Sequence, residues 1–140
     1  MPTNLIDVFV VGGGRGGRKA TSGCASTDPG GGGNYNILNN VFVSNDTNYP
    51  ITIGAGTSAG TCAREASNGG TSSAFDGSAA GGTGTTTSHT ICLFAGTSSY
   101  DCMLTYGNYG TNDNQFQNSG NGGTKANGGM NGVVIIRGTL

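Results

Sequence analysis

The chain has 140 residues, 29 of them glycine, with a formal net charge of −1 and only 9% charged residues. Six basic side chains against seven acidic ones exclude strong electrostatic attraction to nucleic acid or to an anionic membrane surface. Leu, Ile, Val and Phe together number 24, below the roughly 20% share at which disorder becomes the expectation, but disorder also needs a high net charge, which is missing here.

The length fits a single domain over residues 1–140. Ordering so many glycines costs backbone entropy, and so few large side chains make an isolated monomer marginal. Oligomerisation is the first expected remedy, with disulfides or a supporting assembly behind it. No apolar run approaches the ~20 residues that span a bilayer, so no membrane insertion is expected. The start, MPTNLIDVFVV, lacks the basic n-region and small-residue cleavage site of a secretory signal, so the protein is expected to be either cytosolic or carried outside by some other route.

Taken in chain order, the first element is the dense β-branched and aromatic run Val8, Phe9, Val10 and Val11, closed by Gly12. Its counterpart at the other end is Val133, Val134, Ile135 and Ile136, bounded by Gly132 and Gly138. Each run has strand length and glycine punctuation, and a continuous apolar run predicts a strand covered on both faces. These eight residues are the candidate assembly strands, expected at the centre of one β domain.

Residues 12–33 read as irregular backbone. YNILNNVFV, from Tyr35 to Val43, predicts a strand interrupted at Asn39 and Asn40. Asn45 to Asn48 carries turn chemistry, and YPITI follows as a short strand that Pro50 places at an edge or a strand start. Gly54 to Gly60 reads as a bend, and TCAREA at 61–66 is too short a set of helix formers to persist alone. Residues 68–84 are low-complexity polar sequence anchored by Phe75. HTICLFA from His89 and CMLTY from Cys102 predict a hairpin, and Gly107 to Gly132 is again Gly/Asn-rich around Phe116. No segment keeps a 3.6-residue apolar period, which excludes a helical domain, and the glycines keep no strict three-residue period, which excludes collagen. Runs such as Gly30 to Gly33 can order as extended, polyproline-II-like segments without side chains to bury.

The expected fold is therefore all-β, a small β-sandwich-like domain with central terminal strands and long Gly/Asn/Ser/Thr-rich loops. Phe9, Phe42, Phe75 and Phe94 are the expected core anchors.

Gly12-x-Gly14-x-x-Gly17 is a literal dinucleotide fingerprint after a strand. The residues that follow cannot build the helix whose N-terminus would hold the pyrophosphate, and no acidic residue lies about 20 positions on. No cofactor is expected. Cys24, Cys62, Cys92 and Cys102 contain no C-x-x-C pair, and His89 is the single histidine, so no metal site is expected. The cysteines are read as buried thiols, with disulfides formed after release as the alternative and three pairings open. The carboxylates offer no acid/base pair, and no catalytic residue is assigned. Arg137 reads as a solvated or interface charge. Tyr100, Tyr106 and Tyr109, beside Asn and Asp residues, are weak candidates for receptor contacts, because rings stack on sugars and amides bond their hydroxyls.

Four stretches in order, IDVFVVGGG, VSNDTNYPITIGAG, NGGTSSAFDGSAAGGTG and NGGMNGVVIIRG, resemble the glycine-rich domain found in bacteriophage tail fibres and related virion proteins. The likeness runs over essentially the whole chain. Gly138 departs from that family's usual aromatic after the arginine, and four cysteines are unusual for it. The resemblance implies a non-enzymatic virion structural protein in a fibre, a tail or a capsid decoration. Its implied partners are itself, as a homotrimer, and other virion proteins, and its place is the virion, made in the host cytoplasm and extracellular after lysis. The alternative is a receptor-binding adhesin serving host attachment, with loops around 57–88 and 107–131 on host-surface glycan or protein.

Overall fold

The computed structural model describes residues 4–19, 30–61, 64–84, 89–91, 104–106, 122–123 and 128–138. They form an all-β chain: β1 (Leu5–Val11), β2 (Arg18–Lys19), β3 (Tyr35–Phe42), β4 (Ile51–Thr52), β5 (Gly60–Thr61), β6 (Ser72–Ala74), β7 (Gly77–Ala79), β8 (His89–Ile91), β9 (Leu104–Tyr106) and β10 (Val133–Gly138). Two three-stranded antiparallel sheets, in the orders β10-β1-β3 and β4-β6-β7, pack on each other as a small sandwich.

The sandwich core follows from the alternation of β1. Val8 and Val10 turn toward the second sheet and meet Ala74 and Ala79, with Ile6, Leu38, Val41, Phe75 and Val134 packed around them. Phe9 and Val11 turn the other way, and the Phe9 ring stacks on Tyr35 with centroids 6.2 Å apart. All four residues from Val8 to Val11 are 0% exposed, as expected of an apolar run covered on both faces. β10 pairs with β1 in continuous register, Val8 opposite Ile136 and Val11 opposite Val133.

Several expectations need correction. β1 is central, but β10 lies at a sheet edge, and Arg137 falls inside it rather than after it. Phe42 is 66% exposed, because it lies at the end of β3 opposite Leu5, the first residue of β1, so it is not a core anchor. Phe75 is half-buried against Tyr49, with ring centroids 5.0 Å apart, and Phe94 and Phe116 lie outside the described residues. The polar stretch 68–84 holds a hairpin, β6 and β7, built on Ser, Ala and Gly. The interruption at Asn39 and Asn40 is a register shift in the β1–β3 pair, with Asn40 at φ 55°. Asp46 takes the left-handed turn conformation at φ 60°, Ile51–Thr52 forms an edge strand, and β8 and β9 pair as the expected hairpin.

The glycine segments are neither irregular nor bent. Each of the six sandwich strands runs on into one of them: β1 into 12–17, β4 into 54–60 and β7 into 80–84, while 30–34 leads into β3, 66–71 into β6 and 128–132 into β10. Segment 12–17 is the hub. Gly12 N–H donates to Asn34 O, Gly13 N–H to Gly70 O, Gly14 N–H to Met130 O, and Arg15 N–H returns to the first neighbour at Gly31 O, all at 2.8–2.9 Å. Partners that recur after three residues mark a helix of three residues per turn, the polyproline-II repeat.

The hub carbonyls are used as fully. Gly13 O accepts from Gly82 N–H, Gly14 O from Thr57 N–H, Arg15 O from Gly123 N–H and Gly17 O from Gly60 N–H. Among the described residues the hub thus has six neighbouring segments: 30–34, 80–84, 66–71, 54–60, 128–132 and 122–123. The first five bond in that order to one another, through Gly31 to Gly84, Gly69 to Gly82, Gly70 to Ala55 and Gly129 to Thr57, and Gly30 bonds to Gly123.

This packing needs glycine for want of a Cβ rather than for its backbone freedom, since Gly84 is the only described glycine with positive φ. A Cβ on Gly69, Gly129 or Gly30 would fall on the carbonyl oxygens of Gly13, Gly14 and Arg15 respectively. The glycine Cα–H groups therefore point at those oxygens, which is the geometry of a weak Cα–H···O bond. Each hub carbonyl from Gly13 to Arg15 accepts one N–H and one Cα–H from two different neighbours.

Ser72 sits where sandwich becomes bundle. Its buried Oγ accepts from Gly54 N–H at 2.8 Å and donates to Val11 O at 2.6 Å, so two backbone groups at the transition find a side-chain partner.

Gly13→Ala places a methyl group against the backbone of Ala55. It is expected to cost about 3 kcal/mol, the upper range for overpacking, or to prevent folding. Gly138→Ala meets only the Ile6 side chain at 3.5 Å and should change stability by less than about 0.5 kcal/mol. Urea denaturation of the two variants measures the difference.

Candidate functional site

The end of the bundle away from the sandwich is built from β2, β5 and the chain around them. β2 and β5 pair in parallel, Arg18 opposite Gly60 and Lys19 opposite Thr61, because they prolong segments 12–17 and 54–60, which both run away from the sandwich. The chain then turns, with Thr61 bridged to Arg64, and returns along 66–71.

Arg15, the one charged residue of the hub, ties this end together. Its Nε donates to Ala66 O and its Nη1 to Gly84 O, both at 3.1 Å, and its Nη2 pairs with Glu65 at 2.9 Å. Arg18 Nη1 lies 4.0 Å from the other Glu65 oxygen. The side chain of Arg15 is 13% exposed and that of Glu65 71%. The two carbonyl bonds of Arg15 therefore hold the neighbouring segments, while the ion pair, largely in water, contributes little. Thr57 adds a second tie, its Oγ1 accepting from Gly16 N–H and donating to Ser67 O at 2.7 Å.

Between the outgoing and returning chains lies an open cleft of about 480 Å³, lined by Thr57, Ser58, Thr61, Arg64, Glu65 and Ser67 among others. Its wall is about evenly polar and apolar, with hydroxyl, backbone and charged groups beside Ala59 and Ala66. Charge is also segregated among the described residues. Among the described residues Arg15, Arg18, Arg64 and Glu65 gather at this end, while Asp7, Asp46 and Asp76 lie on the sandwich or its far turns, with Arg137 opposite Asp7.

The candidate assembly strands are brought together, but not in one role. Val8, Phe9, Val10 and Val11 are enclosed within the single chain and act as its core. An exposed apolar residue remains on β10, where Ile136 is 44% exposed at a sheet edge; Met130, Ile51 and Ile53 are similarly exposed. Of the candidate receptor tyrosines, Tyr106 lies on β9 opposite His89, and Tyr100 and Tyr109 lie outside the described residues, as do Cys24, Cys62, Cys92 and Cys102. The Gly12-x-Gly14-x-x-Gly17 stretch leads into a strand, and the amides of Gly12 to Arg15 donate to neighbouring carbonyls and that of Gly16 to Thr57 Oγ1 rather than to a phosphate. Among the described residues, no group of three or more His, Cys, Asp or Glu side chains is placed to hold a metal ion.

The sequence reading missed the cleft. Arg15 and Glu65 meet across 50 positions, and neither carries a motif. Only the break of a glycine run by one arginine, GGGRGG, hinted that something had to be held there.

A family model described as a glycine-rich domain matches residues 1–138. No curated protein and no solved structure gives a significant match.

Arg15→Ala is expected to lower stability by about 2–3 kcal/mol through the loss of two charge-assisted bonds to backbone carbonyls, whereas Glu65→Gln should cost less than about 1 kcal/mol. Equal losses in denaturant titrations would place the stabilisation in the ion pair instead.

Proposed function

We propose that this chain, which belongs to the glycine-rich domain family, is a non-enzymatic structural component of a bacteriophage virion, working as a homotrimer in a fibre, a tail or a capsid decoration. The observation that carries the reading is the bundle, a core made of backbone alone. Such a core needs few large side chains, and its rigidity comes from hydrogen bonds in every lateral direction rather than from a bulky apolar centre. A module of this kind suits a particle surface, where loops vary while the support beneath them stays fixed. The four sequence stretches that resemble virion glycine-rich domains support the same assignment. The homotrimer and contacts with other virion proteins would use the β10 edge, because an edge strand with exposed Ile136 is a natural template for a second chain.

The cleft between 56 and 67 favours a second reading within this one, a receptor-binding adhesin whose distal loops contact host-surface glycan or protein. That role adds specific, saturable adsorption to host cells, which a purely architectural component lacks.

The native mass of the purified protein at low micromolar concentration is expected to be that of three chains, unchanged by reductant. Ile136→Asp should give a folded monomer, since Ile136 is half-exposed, whereas Val134→Asp should unfold the chain, because Val134 packs on the sandwich core. A trimeric Ile136→Asp protein would remove the β10 edge from the assembly interface.

A further inference from the structure

We propose that the cleft at the far end of the bundle is a binding site for an anionic polysaccharide. The proposal rests on the recognition reading above and names the class of ligand that site takes. Three observations converge on it. The cleft is more open than enclosed and about 480 Å³ in volume, which suits a solvent-exposed ligand rather than a small molecule fully enclosed. Thr57, Ser58, Thr61 and Ser67 in its lining match the many hydroxyls of a sugar, and its apolar part is the small side chains Ala59 and Ala66 with no large apolar or aromatic residue.

The third observation is charge. Arg64 lies on the cleft with an exposed side chain, and Arg15 and Arg18 stand behind Glu65. Among the described residues at this end, three guanidinium groups stand against one carboxylate, while Asp7, Asp46 and Asp76 lie toward the other end. A guanidinium binds sulfate, phosphate or carboxylate groups through paired, charge-assisted hydrogen bonds. Arg15 and Arg18 are committed to Glu65 and, for Arg15, to two carbonyls, so Arg64 makes the direct contact. Glu65 opposes an anion and sets the limit on how much charge the site accepts.

The test uses the full chain and three probes: dextran sulfate oligosaccharides, uncharged dextran oligosaccharides of the same length, and linear polyphosphate of matched charge. Titration calorimetry should show binding of dextran sulfate that weakens with salt and exceeds that of both other probes by at least about tenfold, the scale of one charge-assisted contact. Arg64→Glu should abolish that preference while native mass and circular dichroism stay unchanged, and Glu65→Gln should strengthen binding. Equal binding of uncharged dextran or of polyphosphate, or an Arg64→Glu protein that binds dextran sulfate normally, overturns the proposal. Saturable adsorption of the protein to cells that survives Arg64→Glu would retain the recognition reading while rejecting the anionic ligand, and absence of adsorption by the unmodified protein would reject the recognition reading itself.

Discussion

The whole molecule depends on how closely two backbones can approach. Stacked β-sheets stand about 10 Å apart because side chains fill the gap, whereas hydrogen-bonded strands within a sheet lie about 4.8 Å apart. From Val8 to Val11 the chain keeps the larger spacing, and Val8, Val10, Ala74 and Ala79 fill it. From Gly12 onward the side chains vanish and the two sheets close on each other until backbone meets backbone. The same six strands then continue as a bundle in which the hub touches neighbours on all sides. The transition falls where Ser72 supplies an oxygen to both lattices.

That arrangement accounts for a composition that looks unpromising. A glycine gives up more freedom on folding than any other residue, and it brings no side chain to bury. In return it places an N–H donor, a carbonyl and a Cα–H donor within reach of three different neighbours. Hub carbonyls that accept two bonds each replace apolar burial with polar satisfaction, so a small apolar core at one end suffices for the sandwich. The cost is intolerance of substitution: at Gly12, Gly13 and Gly16 a single methyl group would meet a neighbouring backbone. Residues with long side chains are confined to the outside and to the far end, where Arg15 and Thr57 close the segments and the cleft opens.

The sandwich strands were legible in the sequence because they announce themselves through side chains: Val8 to Val11 and Val133 to Ile136 are dense, β-branched and bounded by glycine. The all-β class, the turn at Asp46 and the pairing of His89–Ile91 with Leu104–Tyr106 were readable for the same reason. β6 and β7 escaped notice because SSA and GSA carry no apolar alternation, yet Ala74 and Ala79 are core. The bundle was legible only in outline. Hydrophobic periodicity measures which face a side chain takes, and in GGGRGG or GGGG there is no side chain to report a face. A three-residue rotation of backbone partners leaves no trace in residue type beyond the requirement for glycine itself. Phe42 misled for the opposite reason, since a large apolar residue reads as core wherever it stands, and the end of a strand exposed this one.

The most direct test of the backbone core is amide hydrogen exchange read residue by residue by NMR. Glycine-rich loops ordinarily exchange within seconds, whereas groups opened only by global unfolding share the full stability of the fold. The amides of Gly12, Gly13, Gly14 and Arg15 are predicted to exchange as slowly as those of Val8 to Val11, with the same dependence on denaturant. Rapid exchange of the glycine amides beside a protected β1 would contradict the account, leaving a small sandwich with loose glycine loops in place of a bundle.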